Sequence, residues 1–363
     1  MADPKRIRAL LAEEINWDVV LALAEEHSVQ GILAKRLAEM GFAGVSAASR
    51  EELQAGMRAQ HLFALSMTAE LLRILADFSK ASIEIIPVKG PVASLLAYDD
   101  PAVRSYGDLD LLLRQGDIQR ATQRMLGLGF DPKVPLSVIQ TGKIPGEYVF
   151  KRPGTHRMVE LHTERTFRHY PKRMRVEELF GRKRNVLMDG REVPALSLED
   201  ELVLTCIHGA KDFWERLMWV SDVAAIVTRH PEIDWGKARR AAADVGAERM
   251  MHVGILLPTV LFGMNLPEGI GEDTRRDSSA EDLCREIQRW LPYASYGRRT
   301  LGRRASYRMK MGGGGVAGAG YLLRLSFSPA EEDWEERAEE RRSWFWDVVR
   351  RPFRLIRKYG SGE

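Results

Sequence analysis

The spacing of apolar residues along this chain changes twice. From residue 1 to about 81 they recur three and four apart, through Ile7, Leu10 and Leu11 and again through Val19, Leu21 and Leu23, which predicts helices. Ser49 with Glu52 reads as a capping box opening a long helix through Met57, Leu62, Leu65, Leu71, Leu72 and Ile74 to about Ser79. The middle of the chain then shortens its period. Ile83–Val88 and Asp108–Leu113 read as strands, as do Tyr148–Arg152 and Arg157–His162, and Val186–Leu196 reads as a hairpin turning at Asp189-Gly190. Between the first two strands, Gly90-Pro91 opens a helix to about Tyr98, with Pro in the first turn where its missing N–H does no harm. Gly116–Leu128 reads as a further helix.

Helical spacing returns after Ser197, which caps a segment to Asp212 with Asp200 in the box position. Trp214–Arg229, Asp234–Val245 and Ala247–Phe262 follow, and from Ser279 onward the pattern is mostly helical with a break at Gly312–Gly315. Helices, a small mixed sheet, then helices again make an α+β arrangement. The expected division is an N-terminal helical region at 1–81, a sheet-bearing core at 82–196 and a C-terminal helical bundle at 197–363.

Composition narrows the class. Hydrophobic residues at 45% and charged residues at 29% describe an ordinary globular protein. Cys206 and Cys284 each stand alone, with no CxxC, which suits a reducing cytoplasm. The first residues, interrupted by acids, lack a signal-peptide core. Val253–Phe262 is the most apolar run, far below the roughly 20 residues of a membrane span and broken by Pro258, so no integral membrane association is expected. The net charge is only +3, yet Lys151–Arg184 is base-rich, and Arg285–Lys310 holds eight bases against Glu286 alone. Such blocks are either solvated faces or attractors of phosphate, which leaves RNA among the partners to consider.

The chemistry lies in VKGPVASLLAYDDPAVRSYGDLDLLL, residues 88–113. On a strand, Asp108 and Asp110 leave one face while Leu109, Leu111 and Leu113 pack on the other. Two carboxylates this close repel, and a divalent cation makes the arrangement favourable. A third acid usually completes such a site, and Glu160 in Met158–His162 fits: Val159 and Leu161 face the core while Glu160 and His162 share the other face. The competing reading makes Glu160 an exposed residue paired with a nearby Arg. Gly90 at a helix start, with Lys89 beside it, offers backbone N–H groups and a point charge to a phosphate. Arg104 either neutralises a phosphate or holds Asp108. His208 and Lys211, three apart on a helix and followed by Trp214 and Trp219, either receive a nucleotide or form a packing edge, with Asp222 placed to orient Lys211 or Arg216. His156 and His162 are too isolated to suggest a zinc site by spacing. No GxSxG, HExxH, GxGxxG or Walker A loop competes.

Val88-Lys89-Gly90, Tyr98, Arg104, the run Gly107–Leu112, Val159–His162 and the helical series His208, Lys211, Trp214, Leu217, Trp219 and Asp222 together resemble the uncharacterised nucleotidyltransferase family of the DNA polymerase β-like superfamily. The likeness runs in order over roughly 80–240 and more weakly to Trp334, Arg351 and Pro352. It implies Mg²⁺ held by Asp108, Asp110 and Glu160, an NTP donor with ATP expected, transfer of an NMP group to a hydroxyl, and release of pyrophosphate. It also implies nucleotide contacts from Lys89, Gly90, Arg104, His208 and Lys211. One departure stands out: the wider superfamily begins the helix after its first strand with Gly-Ser, where this chain has Lys89-Gly90-Pro91. A non-catalytic nucleotide-binding module and a metal-dependent phosphohydrolase are the alternatives. Asn at 108 or 110 is expected to abolish transfer and to leave unfolding unchanged or raised, because a repulsion is removed.

Overall fold

The computed structural model describes residues 4–140, 147–163, 171–172, 175–293, 300–327, 349–354 and 357. Its N-terminal part contains α1 (Pro4–Leu11), α2 (Trp17–Glu26), α3 (Gln30–Glu39) and the long α4 (Ala47–Lys80). The cap of α4 is Ser46, whose Oγ accepts from the Ser49 N–H at 3.1 Å. Ser49, the cap expected from sequence, is therefore a first-turn residue three positions inside the actual cap. Two serines three apart offer the same local signal, and the chain starts the helix at the first.

A five-stranded sheet follows, made of β1 (Ile85–Pro87), β2 (Asp108–Leu113), β3 (Asp131–Pro132), β4 (Glu147–Lys151) and β5 (Met158–His162), in the order β1-β2-β5-β4-β3. β2 and β5 run parallel, and the other neighbours are antiparallel. Helices α5 (Gly90–Tyr98), α6 (Ile118–Gly127) and the short α7 (Leu136–Gln140) lie between these strands in sequence. Alternation along β2 and β5 fixes their faces: Leu109, Leu111, Leu113, Val159 and Leu161 are all buried on one side. After α8 (Val176–Arg182), β6 (Arg184–Met188) and β7 (Arg191–Ala195) form a separate hairpin. Asp189 and Gly190 both have positive φ, 50° and 72°, as a two-residue turn matched to strand twist requires.

The C-terminal helices are α9 (Leu198–Lys211), α10 (Leu217–Arg229), α11 (Trp235–Val245), α12 (Glu248–Phe262), α13 (Gly271–Arg276), α14 (Ser278–Trp290), α15 (Leu301–Met311) and α16 (Gly315–Phe327). Ser197 caps α9 as expected, accepting from the Asp200 N–H at 3.1 Å. Helix α10 starts at Leu217, three residues later than expected, because Phe213 and Trp214 take positive φ and fold the chain back over α9. Pro258 does not break α12; the helix runs through it with Pro258 itself buried. Helices α9 and α12 pack so closely that a Cβ on Gly254 would stand 2.4 Å from the Cys206 sulfur. Trp214 is fully buried beside this contact.

The architecture is α+β, and one hydrophobic core runs from Met67 on α4 through the sheet to Tyr321 on α16. A smaller cluster of Ala34, Leu37, Phe42 and Leu53 joins α3 to the first half of α4. The long helix thus belongs to both clusters. Among the described residues, no helix is long and apolar enough to cross a membrane.

Candidate active site

The parallel pairing of β2 with β5 sets Asp110 beside Glu160 and Leu112 beside His162. Asp110 is 2% exposed. Its Oδ1 accepts from Lys89 Nζ at 2.8 Å and from His162 Nε2 at 2.7 Å. The same His162 nitrogen lies 3.4 Å from Glu160 Oε2. Asp110 Oδ2 and His162 Nδ1 are buried and have no hydrogen-bond partner among the described residues. One ligand atom each from Asp110, Glu160 and His162 falls within 4.8 Å of the others.

The electrostatics follow from that crowding. Burial works against charge on Asp110, yet the Lys89 ammonium and the His162 hydrogen bond hold its carboxyl far below the usual range. Burial likewise opposes charge on His162, but hydrogen bonds to Asp110 and Glu160 lift it to about 10, so the ring is an imidazolium here. Asp108 is the opposite case. Burial first, then the charges of Asp110 and Glu160, push its carboxyl up to about 6. The repulsion foreseen in the sequence therefore falls on Asp108, while Asp110 is held charged by its two cations.

Lys89 reaches Asp110 because β1 ends beside it: the Val88 N–H donates to the Asp110 carbonyl at 3.0 Å. Lys89 is extended, and Gly90 then takes φ +63°, a conformation other residues resist, to begin α5. A Cβ at Gly90 would also meet the Asp108 carbonyl oxygen at 3.4 Å. The glycine thus lets the start of the helix lie against the acidic strand.

Beneath Lys89 is a tight pocket of about 20 Å³, room for a single water, walled by Arg104, Glu201, Thr205, His208, Trp219 and Asp222 among others. Arg104 does not hold Asp108: its Nε donates to Asp222 Oδ2 at 2.8 Å. Asp222 orients neither Lys211 nor Arg216, since its other oxygen accepts from Tyr98 Oη at 2.7 Å. This clamp ties α5 and the segment before β2 to α10. His208 lines the pocket edge-on to Trp219, with ring centroids 5.7 Å apart. Burial, then the charges of Lys89 and Lys211, hold its pKa well below the ordinary value, so it is neutral. Lys211 acts here through its charge, and its backbone carbonyl accepts from Arg308 at 3.0 Å.

A family model described as an uncharacterised nucleotidyltransferase matches residues 13–263. The chain belongs to this uncharacterised nucleotidyltransferase family. The match begins well before the motifs at 88–113 and takes in α2, α3 and α4, so the family's unit includes N-terminal helices as well as the sheet. It does not extend to Trp334, Arg351 or Pro352; Trp334 lies outside the described residues. A solved structure, an antigenic nucleotidyltransferase-like protein from Paracoccidioides brasiliensis, is similar at 13% identity. That similarity covers 60% of this chain and 92% of the other, with a TM-score of 0.34. No curated protein matches the chain.

The donor set of Asp110, Glu160 and His162 suits a divalent cation. Asp110 Oδ2 is an orphaned, buried, charged oxygen, which is costly without a partner, and Glu160 faces the same point. Two site residues carry little signal in spacing alone. His162 meets Asp110 through the β2–β5 pairing, which local spacing does not encode, although its other neighbour, Glu160, stands two positions before it on the same face. Glu201, 4% exposed on α9, was overlooked, although Glu201, Thr205 and His208 repeat at helical spacing and all line the pocket. Burial pushes its carboxyl up to about 8. Several bases of the two base-rich segments are paired, Lys310 within its own segment. Arg152 and Arg157 bind Glu70, Arg182 binds Asp200, Lys183 binds Glu84 and Lys310 binds Glu286. The parts at 164–170, 173–174 and 294–299 lie outside the described residues.

Proposed function

We propose that the chain transfers a nucleoside monophosphate from an NTP to an acceptor hydroxyl in a reaction dependent on a divalent cation, with Mg²⁺ as the expected ion and ATP as the expected donor. The observation that carries this reading is the buried Asp110 carboxylate: one oxygen is held by Lys89 and His162, the other has no partner, and Glu160 stands beside it. Asp110 and Glu160 would hold the cation, and Asp108 would join them from the same face of β2. The bound ion supplies Lewis-acid stabilisation of the transferred phosphate and acidifies the acceptor hydroxyl.

The chain's own residues do the rest. Lys89 and the first turn of α5 bind the triphosphate, with the helix dipole favouring its charge. The Arg104–Asp222–Tyr98 clamp fixes that helix against α10, and His208 lies under Lys89 as a neutral donor or acceptor. The acceptor oxygen bonds to the α-phosphorus, the bond to the β-phosphate oxygen breaks, and pyrophosphate leaves with the electron pair. The hydroxyl proton passes to a carboxylate of the site and on to water. The acceptor is a small molecule, a protein side chain or an RNA end. The two cysteines, both free and buried, suit a cytoplasmic setting.

The test is incubation with ATP labelled at the α-phosphate, each divalent cation in turn, and pooled acceptors. Label on an acceptor together with released pyrophosphate supports the reading. Release of free AMP would instead make the chain a hydrolase, and nucleotide binding without any product would make it a binding module.

A further inference from the structure

We propose that His162 is itself a ligand of the cation, so that the site prefers an ion with affinity for imidazole, Mn²⁺ ahead of Mg²⁺. The inference rests on the cation-dependent reading above and goes beyond it in naming a ligand and a metal preference. The first argument is distance. His162 Nε2 is 2.7 Å from Asp110 Oδ1 and 3.4 Å from Glu160 Oε2. Neighbouring donors on an octahedral ion with bonds of about 2.1 Å lie about 3 Å apart. The cluster is already spaced close to a coordination shell.

The second argument is the buried Asp110 Oδ2, which no group among the described residues satisfies. The third is placement. His162 is 5% exposed, buried on the face of β5 that also carries Glu160 and lies opposite the aliphatic Val159 and Leu161. An imidazole there gives up solvation, and ligation would return it. The ring also has an acid across the next strand pair: Glu147 is the register partner of His162 in β4–β5.

The donor set decides the ion. Mg²⁺ favours oxygen ligands and keeps its waters, whereas imidazole favours transition metals. Two carboxylates with one imidazole place Mn²⁺, a transition metal that also takes carboxylates, ahead of Mg²⁺. His162 would bind as the neutral ring, its Nε2 proton released to water.

The experiment uses the full chain without nucleotide. Mn²⁺ affinity is measured by titration against the free-ion electron paramagnetic resonance signal, and Mg²⁺ by competition. Pulsed measurements on bound Mn²⁺ look for nitrogen coupling from an imidazole. The expected result is a preference for Mn²⁺ of at least about 10-fold, with nitrogen coupling present. His162→Gln should remove the coupling and most of the preference while changing Mg²⁺ affinity by less than about 3-fold. If that variant does not fold, the coupling in the wild-type protein decides alone. Bound Mn²⁺ without nitrogen coupling, lost on Asp110→Asn, overturns the inference and leaves the proposed function standing. Failure of any divalent cation to bind, with or without ATP, overturns both.

Discussion

Two buried acids in this molecule have opposite surroundings. Glu70 on α4 is 4% exposed and Asp110 on β2 is 2% exposed, so either would be costly left alone. Glu70 Oε1 accepts from Arg73 Nε at 2.9 Å and Nη2 at 2.6 Å, and from Arg152 Nη2 at 3.0 Å. Its Oε2 accepts from Arg157 Nη1 at 2.9 Å. Three guanidinium groups close around one carboxylate, and both oxygens are filled. At Asp110 the balance is reversed: among the described residues, Asp108, Asp110 and Glu160 face Lys89 and His162, and one Asp110 oxygen has no hydrogen-bond partner. The Glu70 cluster is complete without a ligand, whereas the Asp110 cluster has a place for a cation. Buried charge alone does not mark a site; an unfilled oxygen in a surplus of like charge does.

The comparison breaks most sharply at Asp110→Asn. Transfer should fall on the order of 10³-fold or more, measured by α-labelled ATP. The structure revises what the same variant does to stability. Asp110 holds two cations, so its loss strands Lys89 and His162, and the unfolding temperature should drop. Relief from repulsion belongs to Asp108→Asn, because Asp108 carries the raised pKa. Retained transfer in Asp110→Asn would place the chemistry elsewhere.

Glu70→Ala should do the reverse. Removing the one carboxylate leaves Arg73, Arg152 and Arg157 facing each other, at a cost of about 3 kcal/mol because the three arginines are partly exposed and can rehydrate. Denaturant titration should show that loss, while the folded protein keeps its transfer rate. A Glu70 variant of unchanged stability but without activity would make the two clusters alike.

Glu201 tests a third kind of buried acid, one kept neutral. Its folded pKa of about 8 lies above the ordinary value of 4.5, chiefly through burial. The folded chain holds a proton that the unfolded chain releases, so this stabilisation is complete below about pH 4.5 and is lost as pH rises through 8. Glu201→Gln has no proton to lose. Its stability relative to wild type should therefore climb between pH 5 and pH 8, by on the order of 3 kcal/mol. A difference flat with pH would mean that Glu201 is already ionised in the fold.

How much of this was legible in the sequence depends on the range of each interaction. The alternation of Asp108–Leu113 and Met158–His162, the glycine at the start of α5 and the Asp189-Gly190 turn are local signals, and the elements formed where those signals stood. The parallel register that sets Asp110 beside Glu160 joins strands fifty residues apart, and two short alternating runs do not encode which neighbours which. The Arg104–Asp222 bond spans 118 residues, so spacing pointed Asp222 toward nearer bases. His162 was discounted for the same reason. It gained Asp110 across the β2–β5 pairing, beside Glu160 two positions before it on its own strand.

The smallest expected effect concerns what kind of base holds each acid. Around Glu70 the partners are arginines, and Arg73 grips one oxygen through two nitrogens. Such planar forks are made to stay. Asp110 is held by Lys89, a point charge on a flexible stem whose side chain remains 31% exposed. A lysine can leave its carboxylate for an arriving phosphate and return afterwards, which suits a position at the start of α5. Lys89→Ala should weaken ATP binding about 10–100-fold, the roughly 1.5–3 kcal/mol of a charged hydrogen bond. It should also strengthen cation binding in the absence of ATP, because the ammonium no longer competes for Asp110 Oδ1. Calorimetric titration of each ligand separately reads both changes. Opposite shifts identify a movable counter-ion, whereas parallel losses of both affinities would make Lys89 a fixed strut like the arginines of Glu70.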